Sequence, residues 1–308
     1  MLNAKKKSVY TLDLNFMGID GAIASYLIPH SNGAILVECG PGSTIPALEA
    51  ELHKFGYAVG DITDVLLTHI HLDHAGAAGW FAQKGANIYV HPVGAPHLLD
   101  PGKLLSSAAR IYGDMMETLW GEFLPVPPER IQIPEDNEVI EINDLQFRTL
   151  DTPGHANHHY AYVYENVCFS GDIGGVRISG THHLRLPMPP PELILEKWGE
   201  SYARLKHEFS LGRFTRIAPT HFGIYPDPAW HLEALSAALD AVKQWLETVM
   251  PADPSIDSLN RQYSEWSHQR ALNDGLPDET IDAYETANPT WMSAYGLQRY
   301  WRKYRMQD

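Results

Sequence analysis

Thr68-His69-Ile70-His71-Leu72-Asp73-His74-Ala75-Gly76 sets four metal-ligand side chains within six residues, in the pattern H-x-H-x-D-H. Neutral imidazole nitrogen and carboxylate oxygen suit borderline or hard divalent cations. Val65-Leu66-Leu67, just upstream, has the pattern of a short, fully buried strand. Gly76 and the alanines after it read as the opening of a helix. Ligands on such a strand-to-helix turn converge, because the strand end and the first helical turn face the same crevice. A lone histidine on a turn is ordinarily a solvated loop residue; three histidines and an aspartate at this spacing point to a metal. His155, Asp172 and His221 each close a predicted strand and precede a turn, where open α/β sheets present functional groups. The seven together suffice for two cations sharing a bridging carboxylate.

The elements that must position these groups follow from periodicity. Three strand candidates, Val9 to Phe16, Ile23 to Ile28 and Ala34 to Cys39, are separated by Gly- and Pro-bearing turns, a meander pattern. Apolar Ile45, Leu48, Leu52 and Phe55 stand at helical spacing. A strand is expected at Ala86 to Val90, ended by His91-Pro92. Residues 93–123 form a helical insertion with Tyr112, Met115, Met116, Leu119, Trp120 and Phe123. It can be a helix seated on the core or an adaptable apolar lid over a substrate. Three more strands are expected between Glu138 and Glu165, another ending at Ser170-Gly171-Asp172, then a Pro-rich surface loop at Pro187 to Pro191. Helices are expected from about Glu192 to Leu211 and from Trp230 to Val249, with a strand at Phe214 to Ala218 between them. The strands-then-helices rhythm occurs on both sides of residue 130. Pro251-Ala252-Asp253-Pro254 reads as a linker. It divides a catalytic domain, 1–250, from a helical extension, 251–308, whose rings must bury on the main body or in a homodimer interface.

Composition narrows the function. With 44% hydrophobic residues and a formal net charge of −15, the chain is an ordinary globular one and a poor match to nucleic-acid phosphates. Its basic clusters, Lys5-Lys6-Lys7 and Arg299 to Arg305, are terminal and read as solvated. Cys39 and Cys168 lie in apolar strand-like runs and read as buried free thiols, which fits a reducing compartment. No apolar run follows the N-terminal lysines as in a signal peptide, and none is long enough for a membrane span. The expectation is a cytoplasmic protein with a small-molecule substrate, no nucleic acid and no membrane partner. No phosphate-binding G-x-x-x-x-G-K-[ST] and no G-x-S-x-G elbow occurs.

T-H-I-H-L-D-H-A-G at 68–76, T-P-G-H at 152–155, S-G-D at 170–172 and P-T-H-F-G at 219–223, in this order, resemble the metallo-β-lactamase-fold hydrolase superfamily. The resemblance covers about residues 10–245. It implies an α/β fold, a four-layer αββα sandwich with its site at one edge, carrying here a helical C-terminal extension. It also implies that His69, His71 and His155 hold one metal, that Asp73, His74 and His221 hold the other, and that Asp172 bridges them. An Asp at 172 makes the set all nitrogen and oxygen, similar to the dinuclear branch of glyoxalase II and the lactonases. The cofactors implied are two divalent ions, zinc first, with iron or manganese as alternatives.

The expected activity is hydrolysis of a small-molecule acyl bond, thioester, ester or lactone. A water bridging two cations has its pKa drawn down toward roughly 7, so hydroxide is available at neutral pH. Asp73 or Asp172 is placed to take the proton, and Tyr225 to donate to the oxyanion. The alternatives are a non-haem iron sulfur dioxygenase-like oxidoreductase of the same fold, or a non-catalytic protein that keeps the metal. Glu38 stands where the family usually has Asp before a glycine turn. His159 matches a histidine that either orients a ligand or packs. Of His182, His183, Arg177 and Arg185, at most one is expected to touch substrate. His30, His53, His97, His207, His231 and His268 read as surface histidines.

Overall fold

The computed structural model describes residues 8–306; Lys5-Lys6-Lys7 lies outside the described residues. β1 (Tyr10–Asp13), β2 (Ala24–His30) and β3 (Gly33–Val37) form the expected antiparallel meander. α1 (Ile45–Lys54) then carries the chain to β4 (Ile62–Leu66), which lies parallel to β3. A parallel neighbour requires a crossover of this length, and the apolar face of α1 (Leu48 and Leu52, both buried) supplies it. α2 (Leu72–Ala75) and α3 (Ala78–Gln83) make the next crossover, to β5 (Asn87–Tyr89). After the insertion, α4 (Ala95–Leu99), α5 (Gly102–Tyr112) and α6 (Met116–Trp120), comes β6 (Ile131–Gln132). The six strands pair in sequence order, β1 to β6. Residues 34–37 in β3 are wholly buried, as a continuous apolar run in a sheet covered on both faces requires.

β7 (Val139–Ile142), β8 (Leu145–Asp151), β9 (Tyr160–Tyr164), β10 (Val167–Phe169) and β11 (Arg216–Ala218) make a second sheet, in the order β11-β10-β9-β8-β7. α7 (Leu195–Ser210) is the crossover between the parallel pair β10 and β11, and α8 (Pro228–Val249) follows. α9 (Ile256–Asn273), α10 (Asp278–Ala287) and α11 (Thr290–Tyr304) complete the chain. Among the described residues no helix is long and apolar enough to cross a membrane.

The chain divides into two compact units. One runs to Leu150 and includes Tyr162–Glu165; the other comprises Asp151–Ala161 and Asn166 onward, helical extension included. In the first, the turn after β4 is held by Leu67 N donating to Tyr89 O (3.0 Å) and by the Tyr162 hydroxyl donating to Leu67 O (3.0 Å). The helix opens at Leu72, not at Gly76, because His71 takes extended backbone angles and starts it; Asp73 and His74 are thus helical. In the second unit, Tyr263, Tyr284 and Tyr300 are buried, and Trp245, Tyr263 and Trp266 cluster with ring centroids 5.3–5.6 Å apart. Pro187 and Met188, expected on a surface loop, are buried, and α11 packs on Met188.

That contact depends on Gly296, where a Cβ would stand 1.9 Å from the Met188 carbonyl oxygen. Gly296→Ala is expected to lower stability by about 1–3 kcal/mol, as forced overpacking does. Thermal denaturation checks it, and an unchanged midpoint would show that the helix has room to shift.

Candidate metal centre

In the first unit the H-x-H-x-D-H ligands lie on one short path from an extended segment into a helix. His69 Nε2 and His71 Nδ1 are 2.9 Å apart, and the rings of His69 and His74 lie 3.9 Å centre to centre. His74 Nε2 faces Asp73 Oδ2 at 3.6 Å. Two ring nitrogens at 2.9 Å either share one proton or face a cation between them. His69 and His74 are fully buried, while Asp73 keeps 23% of its side chain exposed.

Glu38 sets the orientation of two of these rings. Its buried carboxylate accepts from Thr68 N (3.2 Å), from the Thr68 hydroxyl and from His74 Nδ1 (3.1 Å). Thr68 Oγ1 in turn lies 3.0 Å from His69 Nδ1. Read from the acceptor outward, His74 Nδ1 and His69 Nδ1 both carry hydrogen, which leaves both Nε2 atoms as ligand positions. Glu38, His69 and His74 offer donor atoms within 4.8 Å of one another, but the carboxylate faces the N–H side of the rings. It braces the two candidate ligand rings from their N–H side. Its backbone reaches this place at φ 64°, with Glu38 N donating to Leu66 O (2.9 Å). Cys39 N and Gly40 N both donate to His74 O (3.0 and 3.1 Å), so the ligand helix is tied to the same turn. Thr68 was not among the residues singled out from sequence; its place beside the first ligand was the available signal.

In the second unit Asp172 spans two histidines. His155 Nε2 is 3.3 Å from Oδ2, and His221 Nε2 is 3.6 Å from Oδ1. Each carboxylate oxygen addresses a different imidazole. His155 Nδ1 donates to the carbonyl of Pro187 (2.7 Å), which makes Nε2 the nitrogen that could ligate. That acceptor was invisible in the sequence, where Pro187 read as surface. His159 is buried, with Nδ1 on Thr152 Oγ1 (2.9 Å) and Nε2 accepting from Ile173 N (3.5 Å). It braces the Thr152–His155 turn against the Asp172 turn.

Several expectations change. Tyr225 is buried, and its hydroxyl donates to the carbonyl of Arg177 while the Arg177 guanidinium lies 4.0 Å over its ring. The donor expected for an oxyanion is therefore engaged in the fold. Burial pushes the Tyr225 hydroxyl well above the usual tyrosine range. Arg177 forms a bidentate pair with Asp227 (2.8 and 2.9 Å), and its backbone N–H and C=O bond the His221-Phe222 segment. Arg185 pairs with Glu285 (2.5 Å) and His183 with Asp274 (2.7 Å), which ties this loop to the helical extension; His182 is exposed.

His231 is wholly buried, with Nε2 on Gly174 O (2.7 Å), and desolvation lowers its pKa to about 4. The missed signal was spacing: His231, Leu235, Ala238 and Val242 share the buried face of α8. The folded state resists the proton that the unfolded chain accepts near its usual pKa of about 6.5. Stability should therefore fall as pH drops from about 6.5 toward 4, by up to ~1.4 kcal/mol per pH unit. Melting curves of wild type and His231→Gln across this range should converge in acid; parallel curves would remove His231 from the effect.

The insertion packs on the core at one point and lies near a candidate ligand at another. Trp120 stacks on Phe16 at 5.7 Å as core, whereas Tyr112 has the Asp73 carboxylate beside it, and burial pushes its hydroxyl up.

These residues match known proteins. The model of the Metallo-beta-lactamase superfamily fits residues 18–238. A metallo-beta-lactamase fold-containing protein of Sulfurisphaera tokodaii is 28% identical over 144 residues, 46% of this chain and 54% of its own. A hydroxyacylglutathione hydrolase of Rhodopseudomonas palustris is 29% identical over 178 residues, 54% of this chain and 57% of that protein. An atrochrysone carboxyl ACP thioesterase of Aspergillus fumigatus is 28% identical over 155 residues, 48% of this chain and 38% of that protein. The chain spans about half the length of the curated relatives it matches. Among solved structures, a metallo-beta-lactamase family protein of Thermus thermophilus aligns with a TM-score of 0.63 at 21% identity, over 96% of this chain and 93% of that one. An archaeal superfamily protein of Sulfolobus tokodaii gives 0.62 at 22%, over 75% and 86%. Both share the fold.

Proposed function

As a member of the metallo-β-lactamase superfamily of metal-binding hydrolases, the chain, we propose, hydrolyses an acyl bond of a small molecule, a thioester, ester or lactone, using two divalent ions. In this proposal His69, His71 and His155 hold one ion, Asp73, His74 and His221 hold the other, and Asp172 bridges them. The observation that carries it is the carboxylate of Asp172, whose two oxygens address two different imidazoles at 3.3 and 3.6 Å. The all-nitrogen-and-oxygen donor set fits zinc, iron or manganese. When bound, such a pair supplies a water activated at neutral pH and polarises the scissile carbonyl.

The rest falls to the chain's own side chains. Glu38 and the Pro187 carbonyl hold the Nδ1 hydrogens of His74 and His155, so both rings present Nε2. Asp73, partly exposed beside His74, is the carboxylate that takes the proton released on attack and returns it to the leaving group. The curated relatives named hydroxyacylglutathione hydrolase and ACP thioesterase support the thioester as the first substrate class to test. Metal-analysed protein in zinc, manganese and iron forms should cleave acyl thioesters or lactones faster than phosphodiesters. Oxygen uptake with a thiol substrate and no hydrolysis would refute the proposal.

A further inference from the structure

Between Asp172 and Pro187 the chain of the second unit makes a narrow excursion that meets the backbone or ring of each ligand candidate there. It leaves Asp172 by a turn in which Gly175 N donates to Asp172 O (2.9 Å). Val176 and Arg185 then exchange both backbone hydrogen bonds as an antiparallel pair (2.8 and 3.1 Å). Next to that pair, Arg177 N donates to His221 O (2.5 Å) and Phe222 N donates to Arg177 O (3.0 Å). Two residues past Arg185 stands Pro187, whose carbonyl accepts from His155 Nδ1 (2.7 Å). Whatever fixes this excursion therefore fixes the backbone of His221.

An antiparallel pair at 176 and 185 would continue with a second hydrogen-bonded pair at 178 and 183. Here the Tyr284 hydroxyl of α10 stands between the two. It accepts from Ile178 N (3.1 Å) and donates to His183 O (2.8 Å), and the Thr181 hydroxyl lies 2.9 Å from the same oxygen. The ladder thus gains a rung that belongs to the helical extension. Tyr284 is fully buried, with the His183 ring edge-on to its own at 5.0 Å and the Arg185 guanidinium 5.3 Å from it. A phenylalanine would keep those ring contacts, so what the tyrosine adds is the rung.

We propose that Tyr284 is a positioning residue of the metal centre, its hydroxyl holding the excursion at the spacing that sets His221 against its ion. Without the hydroxyl, a buried donor at Ile178 and a buried acceptor at His183 face each other across a gap. The excursion must close up or splay, and Arg177, adjacent to Ile178, carries His221 with it. On the reading of His221 as a metal ligand, on which this rests, the helical extension governs metal affinity through backbone alone.

The test is stepwise zinc titration of the full chain against a chelating dye. His221→Ala identifies which of the two steps belongs to the ion it holds, because that step is lost. In Tyr284→Phe the same step should weaken about tenfold, the low end for a group that orients a ligand. The other step should stay as in wild type, which a general loosening of the fold would not allow. Thr181→Val removes the neighbouring hydroxyl, should shift the same step in the same direction, and carries the test if the phenylalanine variant does not fold. Equal weakening of both steps, or no change in either variant, would overturn the role of Tyr284. Wild type that takes up fewer than two ions would refute the dinuclear reading itself, and the positioning role with it.

Discussion

Asp172→Asn is expected to stop hydrolysis and to reduce bound metal from two ions to one or none per chain. The substitution keeps shape and volume but replaces one of the two oxygens with an amide nitrogen, which donates and cannot ligate. In wild type those oxygens face His155 and His221 separately, so the neutral amide leaves both histidines without an anionic neighbour and, whichever way it turns, sets an NH2 that cannot ligate in front of one of them. Removing groups that merely orient a ligand lowers metal affinity or activity by about 10–100-fold, so loss of the bridging ligand should exceed the upper end. Metal analysis beside initial rates at saturating zinc reads both effects. Full metal content with wild-type turnover would remove Asp172 from the centre.

Glu38→Gln should weaken metal binding by roughly tenfold or more without touching a proposed ligand. Three donors converge on that carboxylate: Thr68 N, the Thr68 hydroxyl and His74 Nδ1. A glutamine has one accepting oxygen and places N–H groups against the rest. Glu38→Ala leaves all three buried donors without an acceptor, at about 1–3 kcal/mol each, and should also lower the melting temperature by several degrees. Competition against a chelating dye measures zinc affinity. A lower melting temperature with unchanged zinc affinity would show that Glu38 only packs.

The candidate ligands could be singled out because their chemistry repeats within a few residues or sits at strand ends, where sequence pattern is readable. The fold class was legible for the same reason: meander, crossover and strand signals occur at readable spacing, and the observed elements follow them within a few residues. What supports the ligands was not legible. Glu38 could be placed before a glycine turn, but its reach to Thr68 and His74 depends on a backbone at positive φ and on β4 lying beside it. Pro187 looked like surface because proline-rich runs ordinarily are; only the fold shows its carbonyl turned onto His155 Nδ1, with α11 packed on Met188 and Pro189 next to it. Tyr225 and Arg177 sit close in sequence to ligands, a proximity that suggested chemistry. Their side chains instead complete a stacked ion-pair cluster with Asp227 and Trp230.

The most direct test is a crystal structure of the zinc-loaded protein with anomalous data at the zinc edge. Two peaks about 3.5–4 Å apart, one on either side of the Asp172 carboxylate, are expected for a shared bridging ligand. Nε2 of His74, His155 and His221 should each lie about 2.0–2.1 Å from an ion. A single peak, or two that leave Asp172 out of contact, would contradict the account.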